Sequence, residues 1–329
     1  MSLPGAKTAT KFSRWLQARV LGGALILGYH RISPVEDDFY QSCVSPENFA
    51  GHMEALREYA HPVSLSKLMQ SLRQNALPPK SVAVTFDDGY ADNLYVAKPI
   101  LEKYDIPATV FICTGYVGRE FWWDELERLV TSSRADLHTL YSQIDQNQFM
   151  WEQATVGHGA EDRRKGSVRR EFLGALYRWL LTLPPKRREK VMELIRVWAE
   201  SQSKDPSIRR ALTSAELLSL VAGALIEVGA HTRLHPTLTR LSVEEQTEEI
   251  VSSKQYLEDL LDKRVWAFAY PNGKMSMETR EILVRTGFKF ACCSEIDLIR
   301  PGHDHYNLPR FWPGDENGDR FMRKLKLWI

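Results

Sequence analysis

None of the four cysteines stands in a C-x-x-C pair, which removes the usual thiol-redox and zinc-ribbon sites from consideration. Cys292 and Cys293 are adjacent, and adjacent side chains on a strand point to opposite faces, so four reduced, buried thiols are expected. Long apolar runs are lacking as well. After the basic residues Lys7, Lys11, Arg14 and Arg19, the apolar run from Val20 to Leu27 leads straight into Gly28-Tyr-His30 with no small-residue cleavage site. It is far shorter than the roughly 20 residues that a membrane span needs. Neither a signal peptide nor a spanning helix is expected, and a cytoplasmic enzyme is the simplest inference. Charge of one sign is also missing. The 43 basic residues nearly cancel the 42 acidic ones, so there is no whole-molecule field to hold the chain on nucleic acid, and no nucleic-acid partner is expected. No internal repeat is present.

What the chain does have is alternation. Short β-rich apolar runs recur at Ala24–Tyr29, Val82–Phe86, Ala108–Cys113, Ala224–Val228, Val265–Ala269 and Phe288–Cys292, separated by longer helical patterns. That rhythm predicts parallel strands with crossover helices in one α/β barrel domain, residues 21–315. Ser242-Val-Glu-Glu245 is a capping box opening a helix whose Ile250, Leu257 and Leu261 share a face, and Gly287 stops a second helix near Met277–Thr286. The rhythm breaks over residues 119–213. There Leu126/Leu129/Val130, Phe172/Leu176/Trp179/Leu180 and Val191/Leu194/Ile195/Trp198 repeat at helical spacing, which predicts a helical insertion with polar segments at Gly157–Gly166 and Gln202–Pro206. Residues 1–20 and 316–329 read as amphipathic basic helices. They either cover the barrel or touch an anionic membrane surface, the first being the plainer reading.

Two patterns carry chemistry. In Val82-Ala-Val-Thr-Phe-Asp-Asp-Gly-Tyr90 a buried strand ends in two carboxylates, Asp87 and Asp88, before a glycine that lets the backbone turn. Diverging side chains let one bind a cation while the other faces a water. Alone, Asp-Asp-Gly equally fits a loop that caps the next helix. The second pattern, Gly229-Ala-His231-Thr-Arg-Leu-His235-Pro236, decides the matter. It sets two imidazoles four apart after a predicted strand, and Pro236 disfavours helical geometry at His235, so a turn must bring them together. Two histidines and an aspartate at strand carboxyl ends make a His₂Asp site with positions open for water and substrate.

At these residues the chain resembles the NodB-homology polysaccharide deacetylases, carbohydrate esterase family 4. Thr85-Phe-Asp-Asp-Gly-Tyr90 is similar to their first motif, His231 with His235 to their second, and Phe268-Ala-Tyr-Pro-Asn-Gly273 to their third. The resemblance covers about Ala24–Pro313 apart from the insertion. It implies a distorted (β/α)₇ barrel, a divalent ion on Asp88, His231 and His235, Asp87 as general base, and the backbone N–H of Asn272 as an oxyanion donor. Tyr90 and Tyr270, in the same motifs, are the accompanying substrate candidates. Zinc is the first choice of ion, with cobalt, nickel or manganese as alternatives, because His₂Asp suits several first-row metals.

Two departures from the family pattern stand out. Ala269 occupies the place of an arginine that pairs with the base, and Leu308-Pro-Arg310 occupies that of the general-acid histidine. Arginine does not release its proton at ordinary pH, so Arg310 is assigned instead to holding Asp87. The proton donor is then sought at His30, which closes the first strand, ahead of His303 and His305 on the loop before Arg310. Trp122, opening the insertion, is a weaker candidate for stacking on a sugar. Asp297 and Asp304 are weaker still. The implied reaction is hydrolysis of an N-acyl, foremost N-acetyl, amide on an amino sugar of a glycan, glycolipid or precursor, a lipid-linked substrate included. The alternatives are a metal-independent deformylase or cyclic-amide hydrolase of the same fold, and a carbohydrate-binding barrel that has lost activity. The sugar, the oligomeric state and the insertion's role are left open.

Overall fold

The computed structural model describes residues 23–34, 38–144, 149, 161–199 and 209–329, with only the backbone of 161–167. Two compact units divide the chain: Met1–Gly118 with Ala211–Ile329, and Arg119–Arg210. The strands of the first unit are β1 (Leu25–Tyr29), β2 (Arg31–Ile32), β3 (Cys43–Val44), β4 (His61–Pro62), β5 (Ser81–Phe86), β6 (Ala108–Ile112), β7 (Ile226–Ala230), β8 (Ala267–Ala269) and β9 (Phe290–Cys292). Seven make one all-parallel sheet in the order β1-β5-β6-β7-β8-β9, with β4 paired to the start of β5. This is the parallel barrel-type sheet expected of the alternating pattern. Its long strands β1, β5 and β6 are buried at every position, as strands covered on both faces must be.

The six sequence-predicted strands are all present, with ends shifted by one or two residues. What the pattern missed is how the sheet curls shut. Leu308 bridges β9 and Phe311 bridges β1, both in parallel sense, through Leu308 N to Ala291 O at 2.9 Å and Phe311 N to Ile26 O at 2.8 Å. Inside the curled sheet Ala24, Ile26, Ala83, Phe111, Ala267, Ala269, Cys292 and Leu308 form one apolar cluster. The helix Leu65–Arg73 adds Leu65, Leu68, Met69 and Leu72 to it.

The period of two along a strand then dictates what faces the interior farther on. Ile26 is followed by Gly28 and His30, Ala83 by Thr85 and Asp87, and Leu308 by Arg310 and Trp312. Apolar at one end and polar at the other, the interior delivers its chemistry to the carboxyl ends of the strands, the face on which barrel enzymes carry their sites.

The helix Val243–Leu261 opens with the predicted capping box, Ser242 and Glu245 each accepting the other's backbone N–H. The C-terminal helix Gly318–Trp328 buries Phe321 and Leu325, and Phe321 stacks on His52 of the helix Pro46–Tyr59 at 4.3 Å. The N-terminal basic segment lies outside the described residues. All four cysteines are buried and free of disulfides.

The second unit is helical: Trp122–Ser132, Leu137–Gln143, Glu161–Leu180 and Pro185–Trp198. Its predicted stripes are buried except for Trp179, which is half-buried, and Leu194, which is 42% exposed. Arg196 clamps Glu125 with two hydrogen bonds of 2.7 and 2.8 Å, tying the last of these helices to the first. The polar segment read at Gly157–Gly166 is in part helix, since the third helix starts at Glu161, and residues 200–208 lie outside the described set.

Candidate active site

Asp88, His231 and His235 each offer a ligand atom, and these atoms all lie within 4.8 Å of one another. His231 Nε2 is 3.6 Å and His235 Nε2 3.5 Å from the same oxygen of Asp88, Oδ1. Tetrahedral ligands about 2.1 Å from a shared ion sit roughly 3.4 Å apart, so the spacing fits a first-row divalent cation. His231 Nδ1 lies 2.8 Å from the Ala269 carbonyl. A carbonyl only accepts, so the hydrogen is on Nδ1 and the Nε2 lone pair faces Asp88 and His235, the tautomer a metal ligand requires. Burial lowers the pKa of His231, against the pull of Asp87, and keeps the ring neutral.

The backbone is bent to achieve this. Asp88 (φ 71°), Thr232 (φ 64°), His235 (φ 52°) and Asn272 (φ 57°) all take left-handed conformations without being glycine, a concentration of strain typical of functional loops. Gly89 (φ 82°) continues the turn, and a Cβ there would meet Ile112 Cδ1 at 2.7 Å. The sequence-based turn at His235 is thus present, in the αL form.

Beside the triad, Arg310 grips Asp87 in a two-pronged pair: Nη1 to Oδ1 at 2.7 Å and Nη2 to Oδ2 at 2.8 Å. The guanidinium is itself fixed, donating from Nε to the Cys293 carbonyl at 3.0 Å and from Nη1 to Thr85 Oγ1 at 3.3 Å. Burial works against ionisation of Asp87, yet the adjoining charge and hydrogen bonds of Arg310 hold its carboxyl well below the usual range. His30 stacks on Trp312 at 5.0 Å, and the Arg310 guanidinium lies over the same indole at 4.5 Å. Only glycine at position 28 admits this indole, because a Cβ would come within 2.6 Å of it. Burial pushes the His30 imidazole down to about 4, opposed by Asp87 and aided by Arg310 and His231.

This constellation, carried on a parallel barrel-type sheet, was compared with known proteins. The family model "Polysaccharide deacetylase" matches residues 74–155 and 194–291, more than half the chain. The chain belongs to the polysaccharide deacetylase family. A curated relative, the poly-beta-1,6-N-acetyl-D-glucosamine N-deacetylase of Staphylococcus aureus, is 22% identical over 318 residues, spanning 93% of this chain and 82% of its own length. The fold is shared with the Streptococcus pyogenes deacetylase PplD, solved in complex with acetate (TM-score 0.61, 20% identity, 93% of this chain and 99% of that one). IcaB from Ammonifex degensii superposes similarly (TM-score 0.59, 21% identity, 93% and 96%). Membership makes this a hydrolase acting on carbon–nitrogen bonds other than peptide bonds.

Not every residue singled out in the deacetylase motifs lines this site. Tyr270 is a core residue, 1% exposed, whose hydroxyl donates to the Tyr306 carbonyl at 2.9 Å. Tyr90 is 2% exposed, with the Arg31 guanidinium 4.9 Å from its ring centre. Both, expected as substrate contacts, are buried side chains here. Trp122 belongs to the helical unit, where it is 2% exposed between Tyr177 at 5.5 Å and Arg188 at 4.7 Å, leaving no face for a sugar. Asn272 is exposed at the end of β8, its side chain donating to Thr237 Oγ1 at 3.1 Å.

Of the loop histidines, His303 donates its backbone N–H to the Arg300 carbonyl at 3.1 Å. The carbonyl of His305 accepts from Ala291 in the middle of β9, and the charges acting on its ring are those of Arg73 and Asp304. Asp304 pairs with Arg280 and Asp297 with Arg300.

Sequence reasoning missed a supporting layer. Asp92, fully buried, accepts from Arg31 Nε at 3.1 Å and Ile32 N at 3.2 Å, while Asn93 Nδ2 donates to the His30 carbonyl at 3.0 Å. Burial raises Asp92 to about 6 against the pull of Arg31. The signal was available four and five residues beyond Asp88, just past the motif that ends at Tyr90. Trp312 likewise stands two residues past Arg310, on the same face.

Proposed function

We propose that this deacetylase hydrolyses an N-acyl, foremost N-acetyl, amide on an amino sugar of a glycan or glycan precursor, with a divalent cation held by Asp88, His231 and His235. The observation that carries the reading is the convergence of those three donors beside the Asp87–Arg310 pair. The relative from S. aureus, named for poly-beta-1,6-N-acetyl-D-glucosamine, supports a polymer of N-acetylated glucosamine as the substrate class.

Amide hydrolysis needs an activated water, a stabilised oxyanion and a proton for the leaving amine. A bound cation supplies a polarised acyl oxygen and an acidified water, which matters here because a carboxylate held as low as Asp87 is a poor base towards bulk water. Asp87 accepts the proton of the attacking water, and Arg310 keeps both its oxygens in one orientation. His30 is neutral at pH 7, so it first takes up a proton and then gives it to the amine nitrogen as the carbon–nitrogen bond breaks. Of the charges around His30, that of Asp87 acts on it most strongly. The Asn272 backbone N–H is the additional oxyanion donor of this reading. Acetate and a free amine are released.

Amine release from β-1,6-linked N-acetylglucosamine oligomers, with zinc, cobalt, nickel or manganese supplied, tests the proposal. Turnover is expected in the wild-type chain, with kcat reduced roughly 100-fold or more in Asp87→Asn and His30→Gln. Sugar binding without amine release under every metal would contradict it.

A further inference from the structure

The turn from His231 to His235 carries two of the three metal-ligand candidates, yet two of its residues, Thr232 and His235, are held at positive φ. Such conformations persist in non-glycine residues only where the surroundings over-determine them. The surroundings here are specific. Glu249 on the helix Val243–Leu261, 7% exposed, directs Oε2 at two consecutive peptide groups of the turn, accepting from Arg233 N at 2.9 Å and Leu234 N at 2.7 Å. From the other side, Gly115 N donates to the Arg233 carbonyl at 2.7 Å and Thr114 N to that of Thr232 at 3.1 Å. Within the turn, His235 N donates to Thr232 Oγ1 at 3.1 Å.

One buried carboxylate oxygen thus gathers the two N–H groups lying between the imidazoles. Hydrogen bonds to a charged acceptor are about twice as strong as neutral ones, so this oxygen holds both donors at one point. Nothing in the proposed chemistry uses Glu249 directly. What it fixes is the path of the backbone, and therefore the separation of the two Nε2 atoms across Asp88.

We propose that Glu249 is a positioning residue for the metal centre: by clamping the Arg233 and Leu234 peptides, it sets the spacing of His231 and His235 and so the affinity of the site for a divalent cation. The proposal rests on the reading that Asp88, His231 and His235 bind that cation.

The test uses the full chain and reads metal binding rather than turnover. Zinc affinity is measured by competition with a chromogenic chelator, and the cobalt-loaded visible spectrum reports ligand geometry. In Glu249→Ala, zinc affinity should fall roughly 10- to 100-fold and the cobalt spectrum should change. Glu249→Gln keeps an acceptor oxygen at the same reach and should stay close to wild type in both measurements. Glu249→Asp withdraws that oxygen by one methylene and should fall between the two. Wild-type zinc affinity in Glu249→Ala overturns the proposal even if the melting temperature of the metal-free protein drops, since that is the pattern of a merely structural group. If Glu249→Ala does not fold, wild-type affinity in Glu249→Asp overturns it equally. A wild-type chain that binds neither zinc nor cobalt refutes the cation site itself, a different result from a wild-type chain that binds while its variants bind as well.

Discussion

Arg310 and Asp87 are together almost wholly buried, 1% and 3% exposed, so their pairing is judged by geometry rather than by charge alone. A buried carboxylate with one partner removed is left as an uncompensated charge, which costs several kcal/mol. Keeping the charge while losing the planar fork isolates the orienting role. Arg310→Lys should therefore lower kcat/KM roughly 100-fold, about 2.7 kcal/mol of transition-state stabilisation, while the zinc content stays that of wild type. Steady-state kinetics with metal analysis measure both, and wild-type kinetics in Arg310→Lys would remove the orienting role. The sequence exposes Arg310 to inference because an arginine stands where chemistry wants a proton donor. It hides Trp312, since an indole two residues on carries no chemical signature until the alternation of a closing strand is known. Tyr90, Tyr270 and Trp122 illustrate the converse: a motif fixes where a residue sits along the chain, and the fold decides how far its ring is buried.

Strand and helix identities are written locally, and the six strands with the Ser242–Glu245 capping box are readable because period and cap chemistry are local properties. The segment Leu308–Phe311 is not readable, since Pro309 interrupts it and its pairing partners lie on β1 and β9. Nor does a helical stripe at Leu65–Arg73 declare that it joins the barrel's interior cluster.

Docking of the C-terminal helix depends on a buried histidine that local pattern does not reveal either. His52 accepts from the Tyr29 hydroxyl at Nδ1, 3.2 Å, and donates from Nε2 to the Glu316 carbonyl, 2.7 Å, a neutral-ring arrangement. Burial outweighs the Glu316 hydrogen bond and lowers its pKa from 6.5 to about 4. Between those values the unfolded chain binds a proton that the folded chain refuses, so stability falls as pH drops through that window. The loss from this group is about 3 kcal/mol at most. His30 is lowered in the same direction and adds to the slope. Thermal melts from pH 7 to 4.5 should show a shallower acid decline in His52→Gln than in wild type, and an equally steep decline would contradict the assignment.

Taken whole, the chain is a barrel-type unit interrupted by a helical one, and no helix among the described residues is long and apolar enough to cross a membrane. Fold class and the Asp88–His231–His235 cluster were within reach of the sequence because the motifs that carry them follow the carboxyl ends of β5 and β7, where a parallel sheet must gather its termini. The sugar was not, because specificity resides in surfaces whose composition carries no periodic or motif signal.

The proposed chemistry depends on one cation shared by Asp88, His231 and His235, and metal content read by mass spectrometry after incubation with zinc, cobalt, nickel or manganese tests that dependence. Wild type and Asp87→Asn should each retain about one equivalent, as a single His₂Asp site requires, whereas Asp88→Ala and His235→Ala should retain almost none. A wild-type chain that holds no metal, or an Asp88→Ala chain that holds as much as wild type, would contradict the account.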